Sequence, residues 1–401
     1  MNKLIVFTCF YWPFFFSCLQ LQGYITYAIS QSLAVNLAYI NLGLIITGTV
    51  LFRNKINTTS KTSRLWIIYF IIYYCFGFLA LGRNGFQSSI LPTFIPVIYF
   101  IGFYFLLSNK EQFKTFFKVI TITFVISSFF TVLLFKLNFN LAANTTHGWA
   151  LDRADGLYGD ANNAALASII AYTLFDKFYN PSKFLFKAFK ILVLLIIFYS
   201  LFVTFSTTGL FVFTIILFIT NYKFFNGLKL ILLGTILVLF YIGIFAFKSQ
   251  TKELDLSDAQ ISKIDNIINV LTLNLDKVNN SGRDHLLENI LYYLYENPII
   301  GNGVDFSVAH TGHNTYVGVW VDAGILTFLF FMFILFYYFF KTLTLKIHLR
   351  FFAMSLLIVL YVFMMSLQTV INQPYLIVLF VFVGYLIDYS KMDEGHLDFF
   401  N

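Results

Sequence analysis

The sequence predicts an all-α, polytopic integral membrane protein of about twelve transmembrane helices with one large helical loop facing outward. Three observations carry this. First, the 401 residues are 59% hydrophobic, include 53 Phe and are only 11% charged, where a soluble domain carries about 25% charged residues. Second, apolar runs long enough to cross a hydrocarbon core of roughly 30 Å recur from end to end; a membrane β-barrel would alternate in polarity instead. Third, Lys and Arg lie in short clusters between the runs, as the positive-inside rule expects. That distribution assigns the net charge of +7 to membrane topology and excludes nucleic acid as a partner.

The apolar runs place spans at roughly 4–20, 33–52, 65–82, 90–108, 119–136, 161–176, 191–205, 209–221, 230–247, 313–340, 351–367 and 375–388. The seventh and eighth meet at Ser206-Thr207-Thr208-Gly209, which reads as a tight hairpin or a broken helix. The first run has no small-residue cleavage site and is followed by further spans, so it reads as an anchor rather than a signal. Basic clusters around Arg53 to Arg64, Lys110 to Lys118, Lys177 to Lys190 and Lys341 to Arg350 mark one side as cytoplasmic, with both termini inside. The chain divides into an N-terminal bundle of about nine helices (1–247, outward loop 137–160), a large outward loop (248–312) and C-terminal helices (313–401).

The large loop is structured. Ile261, Ile264, Ile267, Ile268, Leu271 and Leu275 recur at helical spacing, behind a capping-box pattern at Ser257 and Gln260. Ser281 and Asp284 form a second such pattern. The helix it opens carries Leu287, Ile290, Leu291 and Leu294 on one stripe and stops before Pro298. Tyr292, Tyr293 and Tyr295 suit the headgroup level. Both helices read as lying along the membrane surface; for the first, packing as a small soluble cap is the alternative. Cys9, Cys18 and Cys75 lie in or beside spans without metal-ligand spacing and read as apolar fillers.

Candidate chemistry gathers between Ser281 and Gly324, at the lip of the bundle, and suits an enzyme acting on a lipid-borne substrate. His313 stands where the loop re-enters the membrane. Continuing the helix places Tyr316 and Trp320 on its face, and a neutral imidazole there can accept a hydroxyl proton. The competing reading is a helix-start histidine that hydrogen-bonds the loop. Arg283 has the donor fork for a diphosphate; a surface Arg on lipid phosphate is the alternative. Arg153, in L-D-R-A-D-G-L-Y-G-D-A-N-N, is a second phosphate contact or the partner of Asp152, Asp155 or Asp160. Asn162 and Asn163 read as caps for the helix that follows, with contact to substrate as the alternative. Asp322, inside a span, costs about 2.5–3.5 kcal/mol on insertion scales and suits a polar network facing protein. His310 and His313 at i, i+3 lack a third ligand, and Glu253-x-Asp255 lies in a charged, unsupported stretch, so no metal site is expected.

The ordered pattern S-G-R, N-P-I-I-G-N-G, H-N-T-Y-V and D-A-G resembles the O-antigen ligase and Wzy-type O-antigen polymerase family. The matching positions are Arg283, Pro298 to Gly303, His313-Asn314 and Asp322-x-Gly324. Arg153 to Asn163 and Thr204 to Gly209 are similar to further stretches of that family. An aromatic residue that often follows the loop Arg is absent, and Asp322 stands where many members have Glu. The resemblance implies a GT-C-like, inverting, metal-independent glycosyltransferase without cofactor, in a bacterial plasma membrane with its site facing outward. It would polymerise undecaprenyl-diphosphate-linked oligosaccharide units into O-antigen or capsular-type polysaccharide. A ligase passing the glycan to lipid A-core or protein is the alternative, and a flippase or transporter of the same lipid is a more remote one. The implied roles are His313 as catalytic base, Arg283 and Arg153 on the diphosphate, and Asn314, Tyr316, Trp320 and His310 on sugar. Asp322, Gly301 and Gly303 would serve a structural network. Expected partners are donor and acceptor lipids, membrane lipids, a flippase and a chain-length regulator.

Overall fold

A computed structural model describes residues 2–84, 91–139, 153–222, 258–272, 274–277, 283–310 and 312–392, with scattered positions within 231–246. Predicted span 230–247 is therefore described only in part. Asp152, Glu253, Asp255, Ser257, Ser281 and the side chains of Arg283 and Asp284 lie outside the described residues.

The described elements are all helical. They are α1 (Lys3–Cys18), α2 (Leu21–Ala28), α3 (Gln31–Leu51), α4 (Leu65–Asn84), α5 (Ile95–Leu106), α6 (Lys110–Lys136), α7 (Ala161–Phe178), α8 (Phe184–Phe202), α9 (Thr207–Thr220), α10 (Asp258–Leu271), α11 (Arg283–Glu296), α12 (Phe306–Ala309), α13 (Thr315–Leu343), α14 (Ile347–Met364) and α15 (Pro374–Met392). Among them, α3, α6, α8, α13, α14 and α15 are long and apolar enough to cross a membrane, so the described residues hold six candidate spans, or seven if α1 and α2 form one bent span. The sequence reading counted twelve apolar runs. Each run except 230–247 falls on a helix, but α5 and α9 are short for a full crossing.

Helix α7 is as long as α14 but less apolar than the six, because Asn162, Asn163, Asp176 and Lys177 lie near its ends. It sits inside the bundle, against α6, α8, α9 and α14. Its Ala161, Ala164, Ala165, Ala167 and Ala171 are buried, and small residues let helix backbones approach closely. Gly209 of α9 uses that space: a Cβ there would stand 2.9 Å from the Cβ of Ala165. Ser168 and Ser200 hydrogen-bond across the α7–α8 contact at 2.8 Å. The other central helix is α15, where every residue from Tyr375 to Val383 is at most 1% exposed.

The α8–α9 junction is a hairpin. Phe198 and Phe213, almost equally far from the turn, bring their rings to 5.3 Å, which requires antiparallel helices. Phe205 takes the left-handed conformation (φ 47°) at the apex. A second sharp turn separates α1 from α2, which meet at 68° across left-handed Gln20 (φ 50°). Helix α2 was not anticipated from sequence, because Gln22 and Gly23 end the apolar run that defines α1.

In the large loop, α10 and α11 match the two predicted helices. Helix α11 packs its Ile290 and Leu294 against Val321 of α13, with Val317 and Trp320 alongside. Tyr292 and Tyr295 are exposed. Tyr293 departs from the headgroup position expected for it: its ring lies 5.0 Å from Phe306 and 4.9 Å from His310, within the protein.

Candidate functional site

Helix α13 is broken, and the break organises one end of the bundle. Ala323 (φ −132°) and Gly324 (φ 78°, ψ 177°) leave helical geometry. The helix hydrogen bonds that would cross this point are lost, and in a membrane protein such groups must be satisfied by protein. The N-P-I-I-G-N-G turn does this. Asn302 donates its N–H to Val321 O at 2.8 Å, Gly303 donates to Asp322 O at 2.9 Å, and Ile325 donates to Pro298 O at 3.0 Å. The Asn302 Nδ2 also reaches Val321 O at 3.1 Å. Both partners need glycine. A Cβ on Gly301 (φ 87°) would stand 2.5 Å from Asp322 O, and one on Gly324 would overlap the Ile299 carbonyl.

The break aims Asp322 at donors. Its Oδ1 accepts the Ser307 N–H at 2.6 Å, and its Oδ2 accepts the Tyr73 hydroxyl of α4 at 2.8 Å. The Tyr73 oxygen in turn accepts the Asp305 N–H at 3.1 Å. Asp305 Oδ1 accepts from Asn372 Nδ2 at 2.6 Å. Two carboxylates on separate segments are thus tied to α4 and to the connection between α14 and α15. Among the described residues no three His, Cys, Asp or Glu side chains come together as a metal set.

That connection, residues 366–373, is the hub. Leu367 O accepts from Thr315 Oγ1 at 2.6 Å, and Gln368 Oε1 accepts the His313 N–H at 3.2 Å. Gln373 Oε1 accepts from Gln20 Nε2 at 2.9 Å. On the neighbouring segment, Tyr158 lies 5.9 Å from Tyr375, ring to ring. Arg153 donates its Nε to Thr204 O at 2.9 Å, and Ala154 donates to Val203 O at 3.0 Å. Arg153 is therefore fastened to the apex of the α8–α9 hairpin. The segment 153–163, the hairpin, the 298–324 stretch and residues 366–373 all lie at the same end.

Several expected placements change. His313 is not on the face of α13. It has left-handed φ of 43° and is exposed, while Asn314 is the N-cap, its Oδ1 accepting from Val317 N at 3.1 Å. The shared face with Tyr316 and Trp320 does not form, because the helix starts after His313. Tyr316 gives its hydroxyl to Tyr361 O at 2.9 Å. Trp320 gives its Nε1–H to Pro298 O at 2.9 Å and has one ring face on Phe328 at 5.1 Å. His310 turns back on its own short helix, with Nδ1 2.9 Å from Phe306 O and its ring stacked on Phe306 at 4.1 Å. At the mouth of α7 the cap is Asp160, whose Oδ1 accepts from both Asn162 N (2.9 Å) and Asn163 N (2.8 Å). Asn162 instead accepts from Ser206 Oγ at 2.9 Å, binding α7 to the hairpin.

Tyr73, Asp305, Ser307, Gln368 and Asn372 were not singled out in sequence. Asn372-Gln373, a polar pair closing an apolar stretch before Pro374, was a usable signal; Tyr73, within a run of aromatics, offered none. Burial pushes the Asp305 carboxyl up to about 6, against the opposing hydrogen bonds of Tyr73 and Asn372. An unfolded Asp titrates near 3.9, so the folded state holds this proton more tightly. Its contribution to stability is full below about pH 4, is lost as pH rises to about 6, and is constant above that. Subtracting the melting curve of Asp305→Asn from that of wild type, both in detergent from pH 4 to 8, should reveal that decline. A difference that does not vary with pH contradicts the assignment.

No protein-family model matches the chain, and a search of the curated proteins finds no similar one.

Proposed function

We propose that this chain is an inverting glycosyltransferase that polymerises polyprenyl-diphosphate-linked oligosaccharide units into a surface polysaccharide. The supporting observation is that the polar segments collect at one end of an apolar bundle, joined through residues 366–373. Most of the motifs that resemble the O-antigen ligase and polymerase family (N-P-I-I-G-N-G, H-N-T-Y-V and D-A-G, with the Arg153 and Thr204 stretches) fall on those same segments, while Ser281, Gly282 and the Arg283 side chain lie outside the described residues. We read the layout as twelve crossings in a bacterial plasma membrane, with both termini cytoplasmic by the positive-inside rule and the polar end outward.

The reaction is a direct displacement. The acceptor hydroxyl oxygen attacks the anomeric carbon, the bond from that carbon to the diphosphate oxygen breaks, and the polyprenyl diphosphate leaves with the bonding pair. His313 takes the hydroxyl proton, and Arg283 and Arg153 offset the charge growing on the leaving diphosphate. Exposure of His313 beyond the helix start leaves its ring accessible from outside the bundle, as a base for a bulky acceptor requires. Trp320, with one ring face on Phe328, and His310 and Tyr316, each tied to a backbone carbonyl, keep supporting places around the turn. Polymerase and ligase differ only in the molecule that supplies the attacking hydroxyl, a second lipid-linked unit or lipid A-core or protein, so they share this chemistry. The test is a strain lacking the gene and restored with wild type or Arg153→Ala at equal membrane expression. A polysaccharide ladder that collapses to one repeat unit supports polymerase. Loss of even that unit from its acceptor supports ligase, an unchanged ladder removes Arg153 from the site, and a ladder no different in the strain lacking the gene removes both readings.

A further inference from the structure

Beside the hub lies a cavity of about 300 Å³, at the lower end of the roughly 300–1,000 Å³ typical of ligand pockets. It opens at the α1–α2 elbow, and its lining includes the amides of Gln20, Gln22, Asn372 and Gln373, with Phe16 and Tyr99. None of the lining residues carries a charge.

The lining selects its occupant. A diphosphate calls for Arg or Lys forks, and none is here. The Gln20, Asn372 and Gln373 amides bond one another, Asp305 and Thr369, yet each keeps hydrogen-bonding capacity beyond those bonds, as does Gln22, and a hydrocarbon tail would strip those groups of water without replacing it. A neutral polyol fits, because its hydroxyls both donate and accept, while the apolar walls match the C–H faces of the ring. Asn372 also holds Asp305, so the cavity adjoins the network that fixes the broken helix.

We infer that this cavity binds a neutral sugar ring of the glycan substrate, which rests on the reading of the chain as a glycan transferase. The experiment is saturation-transfer NMR on protein in lipid nanodiscs, free of sugar-based detergent. The probes are the methyl glycosides of glucose, galactose, mannose, N-acetylglucosamine and N-acetylgalactosamine, with methyl glucuronide as the anionic control. At least one neutral glycoside should receive saturation at its ring protons, and the glucuronide should not. The signal should be lost in Ala38→Phe, which fills the cavity, and weakened in Gln22→Leu, an exposed change on α2 that spares the core. It should persist in His313→Ala. Absence of transfer to every neutral glycoside, or a signal indifferent to both cavity variants, overturns the inference. Catalytic transfer is measured separately on lipid-linked substrate. Turnover without glycoside binding removes the cavity inference alone, and binding without turnover removes the transferase reading alone.

Discussion

Replacing His313 with alanine is expected to slow glycan transfer by about 10²–10⁴-fold, the usual contribution of a positioned general base. The structure makes this a clean substitution. His313 is exposed and precedes α13, so truncation opens no cavity. Its bond to Gln368 uses the backbone N–H and survives any side chain. The helix cap belongs to Asn314 and also survives. Melting in detergent, measured beside the rate, separates loss of the base from any loss of stability. His313→Asn is the companion variant, because Asn tolerates the left-handed backbone yet cannot act as a base near neutral pH. Both variants should lose activity together. Wild-type rates from either would transfer the role of base elsewhere, with Asp305, bonded to Asn372 of the hub, the next residue to test.

The second large effect concerns folding. Gly324→Ala should abolish the folded protein or lower its melting temperature sharply. A residue held in a glycine-only region costs about 1–3 kcal/mol in backbone strain, and here the added Cβ also overlaps the Ile299 carbonyl. Relief requires the turn to lift off, which would strip Val321 O and Asp322 O of their donors. Gly23→Ala is the control. It lies in helical α2 with nothing within 4 Å of the added Cβ, so it should be neutral or stabilising by about 0.5–1 kcal/mol. Heat challenge of both proteins, read by the fraction remaining monodisperse, checks the contrast. Equal survival would mean that the turn does not depend on the break in α13.

Much of the architecture was legible because a membrane enforces it. An unbroken apolar run leaves the backbone no choice but a helix, and helices fall where those runs were read. The break at Gly324 was invisible for the same reason. D-A-G sits inside a run that reads as continuous, and only the turn at Pro298 to Gly303, which the fold docks back onto the break, explains it. The depth of α7 was likewise hidden, since its alanines read as apolar and not as close-packing. Long-range polar pairs are the least legible class. Tyr73 with Asp322 and Asn372 with Asp305 join segments far apart in sequence, and no local pattern marks one tyrosine among many. The Asp160 cap was legible in principle, because Asp is a strong N-cap residue, but the adjacent asparagines compete for the same reading.

The most direct test of the whole account is incubation of the purified protein with a defined polyprenyl-diphosphate oligosaccharide, followed by mass measurement of the products. The account predicts glycans longer by whole repeat units, with one polyprenyl diphosphate released for each unit added. Substrate recovered unchanged from folded protein, with no free polyprenyl diphosphate, would contradict it.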